Sequence, residues 1–265
     1  MSKFVQLQKG IPKFSVKEYK KKQSDYCLLI PIINEKERIH QELLRAKKAE
    51  VSQQIDIIIC DGGSVDGSTK EQVMKTLDVN TLLVKDDAGK QGAQLRIGIF
   101  FALKRGYQGM VTIDGNNKDS IEDVSCFVEK LKEGYDFIQG SRYIKGGHAI
   151  NTPLLRHFSV KFIHAPIISF IAKKRYTDTT NAFRAYSRKY LEHSKVQPLR
   201  DIFQTYELLA YLSVRADQLG MKTTEIPVTR SYPKSEKTPT KISPFKGNLE
   251  LLKILLYNLL GKYNP

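Results

Sequence analysis

The chain has 265 residues, of which 41% are hydrophobic and 27% charged, a composition typical of globular proteins and not of disordered or fibrous ones. Its formal net charge of +15 favours an anionic partner, such as a phosphorylated substrate or an acidic membrane surface. No zinc-finger spacing and no glycine-aromatic motif of the common RNA-binding sheets occurs, so no nucleic-acid partner is predicted.

Three scattered cysteines indicate buried free thiols in a reducing compartment. The basic N-terminus has no apolar core of a secretory signal. No run reaches the roughly 18 uninterrupted apolar residues expected of a membrane span. We therefore expect neither a disulfide framework nor a transmembrane segment.

From residue 26 onward, apolar runs alternate with segments of helical spacing. Strands are predicted at residues 26–33, 55–61, 81–85, 110–114 and 135–141. Helices are predicted between them at residues 35–52, 90–105 and 121–133. This alternation indicates βαβ units and a mainly parallel, Rossmann-like α/β sheet flanked by helices.

The pattern changes after residue 141. The predicted elements there are a basic loop at 142–152, helices at 154–174 and 203–220, strand-like segments at 177–187 and 221–229, and a last apolar helix at 248–261. We predict one domain over residues 26–230, a basic extension over 1–25, and a basic loop with an apolar helix over 231–265. The helices at 154–172 and 249–260 suit either core packing or an interfacial position on an anionic bilayer.

Three predicted strands end in polar clusters, PIINE, CDGGS and IDGNN. In a parallel sheet these ends lie at one edge, where ligands bind. In the last cluster, Asp114 and Asn116 offer a carboxylate and an amide oxygen two positions apart, a set that can hold Mg²⁺ or Mn²⁺ on a diphosphate. In the second, Asp61 can accept a hydrogen bond from a nucleobase. The alternative is that these residues only form turns.

Several basic residues are candidate phosphate ligands. Lys90 begins a predicted helix, whose N-terminus favours a diphosphate. Arg142, Lys145 and Arg184 are candidates for a second phosphate, because arginine binds phosphate through two parallel hydrogen bonds. Glu207 is placed to order such an arginine. A surface position is the alternative for each of the basic residues.

The motifs PIINE, DGGSVDGS, GKQGA, TIDGNNKD, GSRYIKGG and TDTTNAFRAYSR follow the order found in family 2 inverting glycosyltransferases, which the chain resembles over residues 26–229. It looks closest to the dolichyl- or polyprenyl-phosphate mannosyl- and glucosyltransferases. The resemblance implies a glycosyltransferase A-type fold, a nucleotide-sugar donor and a divalent cation. It departs from the family pattern at Asn116, where a second Asp is usual.

The resemblance also assigns roles to individual residues. Pro31 and Glu35 would border the nucleoside, and Asp61 would contact the base. Asp114 would meet the metal-bound diphosphate. The residues placed at the acceptor phosphate are Arg142 and Arg184.

The implied reaction is displacement at the anomeric carbon with inversion, from a UDP- or GDP-linked hexose to a polyprenyl phosphate. Such a phosphate is already anionic near neutral pH, with a second pKa of about 6, so it needs no general base. A hydroxyl acceptor in cell-envelope polysaccharide synthesis would need one, and Asp178 or Glu207 is then the candidate. We expect a peripheral protein on the cytoplasmic face of a membrane.

Two other classes of protein stay open at this point. A sugar-phosphate nucleotidyltransferase also uses a strand-end carboxylate and a metal, but the glycine-free PIINEKER counts against it. The other class is a catalytically weak or inactive protein that binds a nucleotide or a membrane surface.

Overall fold

The computed structural model describes residues 10–234 and 246–265. The strands in these residues are β1 Phe14–Glu18, β2 Tyr26–Ile32, β3 Asp56–Asp61, β4 Thr81–Lys85, β5 Gly109–Thr112, β6 Phe137–Ser141, β7 His148–Ile150, β8 Arg184–Ser187, β9 Thr223–Pro227 and β10 Thr229–Ser231. The α-helices are α1 Glu37–Lys48, α2 Glu71–Thr76, α3 Gln91–Lys104, α4 Val124–Lys132, α5 Leu154–Ser159, α6 Ala165–Ala172, α7 Arg188–Leu191, α8 Glu207–Gln218 and α9 Lys246–Leu259.

The main sheet has eight strands in the order β1-β4-β3-β2-β5-β8-β6-β9. Strands β2 to β5 run parallel, as do β6 and β9, whereas β8 is antiparallel to both of its neighbours. The predicted mainly parallel α/β sheet is therefore confirmed. Part of the predicted N-terminal extension is an edge strand, because β1 pairs antiparallel with β4.

Side chains alternate along each strand, so the sheet separates two hydrophobic cores. On β2, Cys27 and Leu29 face the core that contains α3, α6 and α8. Leu28 and Ile30 face the core that contains α1, α2 and α4. The prediction of a buried thiol was wrong for Cys126, which is exposed on α4.

Helices α5 and α6 are joined by a π-helical segment, Val160–His164, into one helix, Leu154–Ala172. Within the described residues, this helix alone is long and apolar enough to cross a membrane by those two criteria. The sequence prediction of no span overlooked it because Arg156 and Lys161 interrupt its apolar run. Its most apolar window is only 17% buried, so most of its side chains lie outside the core, although Ile168 and Ile171 pack into it.

Candidate active site

A cavity of about 1380 Å³ opens where β2, β3 and β5 end. One end is polar, and its lining includes Glu35, Lys90, Asp114, Asn116 and Arg142. The other end is apolar, and its lining includes Leu155, Phe158, Phe162, Leu252 and Leu255. The apolar residues come from the helix Leu154–Ala172 and from α9. The cavity therefore suits a ligand with a charged head and an apolar tail.

Asp114 lies just beyond β5 and is held from two sides. Its Oδ1 accepts a hydrogen bond from Gln91 Nε2 on α3 at 2.9 Å, and its Oδ2 accepts one from Arg230 Nη2 at 3.1 Å. A Cβ at Gly115 would stand 2.4 Å from Ile32 Cγ2, so only glycine lets the loop pass this closely over β2. Burial acts to raise the pKa of Asp114, but Arg230 and then Lys118 outweigh it and lower that pKa below its usual value. The carboxylate is thus ionised at the cavity wall.

Helix α1 supports the loop that carries Asp114. Glu42 Oε2 accepts a hydrogen bond from the backbone N–H of Asn117 at 2.8 Å, and Asn117 has a left-handed φ of 57°. Arg45 donates to Asn117 Oδ1 at 2.9 Å and also pairs with Glu122. Complete burial raises the pKa of Glu42 well above its ordinary value.

Three basic residues and a tyrosine, hereafter the basic cluster, line the cavity beside Asp114: Lys118, Arg156, Arg230 and Tyr232. Arg230 is 4% exposed and also pairs with Asp119. Arg156 Nη1 donates to the Tyr232 hydroxyl at 2.8 Å, and Lys118 Nζ lies 5.0 Å from the centre of the Tyr232 ring. Burial and Arg230 lower the pKa of Lys118 to about 8. Of these residues, none was predicted from the sequence.

Arg142 follows β6 and reaches the cavity with its charge already paired. Its Nε donates to Asp178 Oδ2 at 2.6 Å and its Nη2 to Asp178 Oδ1 at 2.9 Å, with a further bond to Thr180. Burial acts to raise the pKa of Asp178, but Arg142 overrides it and lowers that pKa. A buried carboxylate with both oxygens on a guanidinium is a poor proton acceptor, which argues against Asp178 as a general base.

Three other residues predicted for the donor nucleotide line the cavity, and their contacts with a nucleotide stay predictions. Pro31 and Glu35 line the cavity at the end of β2, and Glu35 Oε2 accepts from Arg38 Nε at 2.8 Å. Lys90 lines the cavity too, exposed at the N-terminal end of α3.

Asp61 is placed differently from Asp114. Its carboxylate is 2% exposed and accepts bonds from the Ser64 hydroxyl at 2.6 Å and the Ser64 N–H at 3.0 Å, so it stabilises its own turn. The neighbouring Gly62 lines the cavity, whereas Asp61 itself does not. Its contact with a base stays a prediction.

The structure corrects the predicted role of Arg184. This residue is 2% exposed, and its guanidinium donates to three backbone carbonyls and to the Ser213 hydroxyl. The carbonyls belong to Thr179, Asn181 and Leu209. Arg184 also lines the cavity, but its guanidinium is held by these protein groups, so it orders the loop before β8 instead of offering an uncommitted charge to a phosphate.

Two further predictions are corrected. Lys145 is exposed and is not among the residues that line the cavity. Glu207 begins α8 and accepts hydrogen bonds from the N–H and hydroxyl of Thr205, at 2.6 and 2.9 Å. It therefore stabilises the start of its helix, instead of ordering an arginine or removing a proton in the cavity.

The family model described as glycosyl transferase family 2 matches residues 27–194, more than half of the chain. The protein belongs to glycosyltransferase family 2. This membership favours a glycosyltransferase over the sugar-phosphate nucleotidyltransferase and the inactive binding protein that the sequence left open.

Relatives agree with the branch that the sequence resembled. The chain is 25% identical to a polyprenol monophosphomannose synthase of Mycolicibacterium smegmatis, over 89% of this chain and 87% of the relative. It is 23% identical to a dolichol-phosphate mannosyltransferase of Pyrococcus furiosus, over 65% of this chain and 49% of that relative.

Solved structures agree with the predicted fold. The chain superposes on glucosyl-3-phosphoglycerate synthase of Mycobacterium tuberculosis in complex with Mn²⁺, UDP and glucosyl-3-phosphoglycerate. The TM-score is 0.60 at 15% identity, and the match covers 89% of this chain and 79% of the other. This likeness confirms the glycosyltransferase A-type fold of this family 2 member.

The residues present fit a divalent cation only in part. Asn116 Oδ1 is buried beside Asp114 and has no hydrogen-bond partner among the described residues, so an oxygen is available at the cavity wall. Residues 10–234 and 246–265 contain no group of three or more acidic, histidine or cysteine side chains that could hold an ion. A cation here would take most of its oxygen ligands from the diphosphate and from water.

Proposed function

We propose that this glycosyltransferase transfers a hexose from a UDP- or GDP-linked sugar to a polyprenyl phosphate, with inversion. The observation that carries the proposal is the two-ended cavity, in which a polar end with several basic side chains continues into an exposed apolar end. Sugar acceptors are polar throughout and would gain little from the apolar end, whereas a lipid phosphate matches both.

At the polar end, Asp114 and Asn116 would hold the divalent ion, Mg²⁺ or Mn²⁺, together with the donor diphosphate. The ion, when bound, neutralises charge on the departing diphosphate. Lys90 at the start of α3 and Arg230 beside Asp114 add positive charge to the same region. Pro31 and Glu35 border the space left for the nucleoside.

Arg142 and Arg156 are the ligands that we propose for the acceptor phosphate. Both line the cavity, and each is already oriented, Arg142 by Asp178 and Arg156 by Tyr232. A phosphate oxygen of the acceptor forms the new bond to the anomeric carbon as the bond from that carbon to the donor diphosphate breaks. The acceptor oxygen is ionised near neutral pH, so the reaction needs no general base.

The apolar tail would leave along the helix Leu154–Ala172 and α9. Several apolar side chains there are largely exposed, with Leu155 at 79%, Phe158 at 56% and Phe162 at 62%, and a contiguous exposed apolar surface is typical of an interaction site. Together with the net charge of +15, this surface favours peripheral contact with an anionic bilayer at the cytoplasmic face of the membrane.

The test is a transfer assay with radiolabelled UDP- and GDP-hexoses and Mn²⁺. Polyprenyl phosphate in anionic vesicles is compared with soluble mono- and oligosaccharides as acceptor. We expect label in the lipid extract with at least one donor and none in the soluble sugars. Label that appears only in a soluble glycan would refute the lipid acceptor, and the anomeric configuration of the product tests inversion.

A further inference from the structure

Lys118 occupies an unusual place for a lysine. It follows Asn116 by two residues, is only 5% exposed, and lines the cavity on the same side as Asp114 and Arg230. Its backbone carbonyl accepts a hydrogen bond from Ser231 N–H at 2.8 Å, so β10 fixes the loop that carries it. The side chain of Lys118 is thus part of the polar end of the cavity, near Asp114.

The oxygens that a divalent ion would use face competition in the same place. Each oxygen of Asp114 already accepts a hydrogen bond, one from Gln91 and one from the cationic Arg230. Asn116 contributes a neutral oxygen, which binds a hard cation more weakly than a carboxylate does. Two fixed cations at this wall, Lys118 and Arg230, also oppose the approach of a third.

We propose that Lys118 and Arg230 supply the charge that binds the diphosphate of the donor, so that the protein holds a nucleoside diphosphate without a divalent ion. The inference rests on the proposed function, in which the donor is a nucleoside-diphosphate sugar. It adds that the side chains and the metal ion act at different stages. The two side chains bind the diphosphate in the ground state, and a metal ion contributes during transfer. A buried ammonium and guanidinium are strong phosphate ligands, because charge-assisted hydrogen bonds gain strength away from water.

The competing explanation is that Lys118 only balances the buried carboxylates Asp114 and Asp119. Variants distinguish diphosphate binding by Lys118 from mere charge balance. Lys118→Met removes the charge and keeps much of the apolar stem, and Lys118→Arg keeps the charge. Lys132→Met removes one charge from an exposed position near the end of α4, at the opposite edge of the sheet, and serves as the matched control.

The experiment is isothermal titration of the protein with UDP and with GDP, in EDTA and in Mn²⁺, with melting curves to verify folding. We expect one nucleotide to bind in EDTA within about tenfold of its affinity in Mn²⁺. Lys118→Met should weaken binding in EDTA by about tenfold or more, the effect of one charged hydrogen bond. Lys118→Arg and Lys132→Met should stay within about threefold of the parent.

Two results would overturn the inference and leave the proposed function intact: binding that requires Mn²⁺, or unchanged affinity of Lys118→Met in EDTA. If Lys118→Met does not fold, Lys118→Gln replaces it in the EDTA titration, and the Mn²⁺ requirement of the parent protein still tests the inference independently. Failure of both nucleotides to bind in either buffer would remove the donor assignment together with the inference.

Discussion

Arg230 on β10 donates a hydrogen bond to Asp114 at 3.1 Å, and so ties the second, two-stranded sheet to the end of β5. The same guanidinium pairs with Asp119. The carboxylate that the sequence singled out is therefore oriented by a residue 116 positions later in the chain. This connection places a buried guanidinium at the strand edge where ligands of α/β folds gather.

Asp114→Ala should abolish the part of the thermal stabilisation by the donor that depends on Mn²⁺, and lower transfer by about 100-fold or more. It removes the site's carboxylate and frees Arg230 from one of its two partners. The measurement is a thermal-shift panel of UDP- and GDP-sugars with and without Mn²⁺. Asp25→Ala, at an exposed position before β2, is the control and should behave like the parent. A metal-dependent shift that survives in Asp114→Ala would contradict the assignment.

Arg142→Met should destabilise the fold as well as stop transfer. It leaves Asp178 buried without its partner, which typically costs about 3–5 kcal/mol in the free energy of unfolding. Adding Asp178→Asn removes the unpaired buried carboxylate and should restore much of the stability but none of the transfer activity. Urea unfolding and transfer assays on both variants measure this. Recovery of transfer in the double variant would show that Arg142 serves only the fold.

Glu42→Gln should make stability less dependent on pH. Because burial raises the pKa of Glu42 in the folded state, its contribution is complete below the unfolded pKa of about 4.3 and is lost as pH rises toward the folded value. The amide of the variant stays neutral at every pH. The free energy of unfolding of the variant should therefore rise relative to that of the parent by up to about 1.4 kcal/mol per pH unit in that window. Urea unfolding of the variant and the parent at pH 5 and at pH 8 measures how this stability difference changes with pH. Glu129→Gln, at an exposed position, should show no such change.

Replacing both Phe158 and Phe162 by Ser should release the protein from anionic vesicles. The two rings stack with centres 5.5 Å apart on the exposed face of the helix, and burying one such side chain is worth about 1.5–3 kcal/mol. We expect partitioning in a sedimentation assay to fall by tenfold or more. Leu44→Ser, at an exposed apolar position on α1, should have no effect. Equal losses in both variants would exclude a specific membrane face.

The sequence predicted the parts of the site that depend on local pattern. Apolar runs followed by polar clusters located the strand edge, and Asp114 with it. Arg142 was identified for the same reason, since it directly follows a strand. Periodicity did not show that β8 runs antiparallel between β5 and β6, because strand direction is set by tertiary pairing.

The basic cluster escaped prediction for a physical reason. Arg156 lies in a helix whose pattern indicates packing, and Arg230 and Lys118 reach the cavity only because β10 pairs with β7 and bridges to Asp119. Arg184 was mistaken for a phosphate ligand because a sequence shows a buried charge but not its partners. Here those partners are backbone carbonyls, which no residue pattern reveals.

The comparison that tests the account most directly sets polyprenyl phosphate against the matching polyprenol in the same vesicles, with one nucleotide hexose and Mn²⁺. The two lipids share the apolar tail and differ only in the phosphate that Arg142 and Arg156 are proposed to hold. We predict transfer to the phosphate and none to the alcohol. Equal transfer to both, or transfer to the alcohol alone, would contradict the proposal that this site recognises a lipid phosphate.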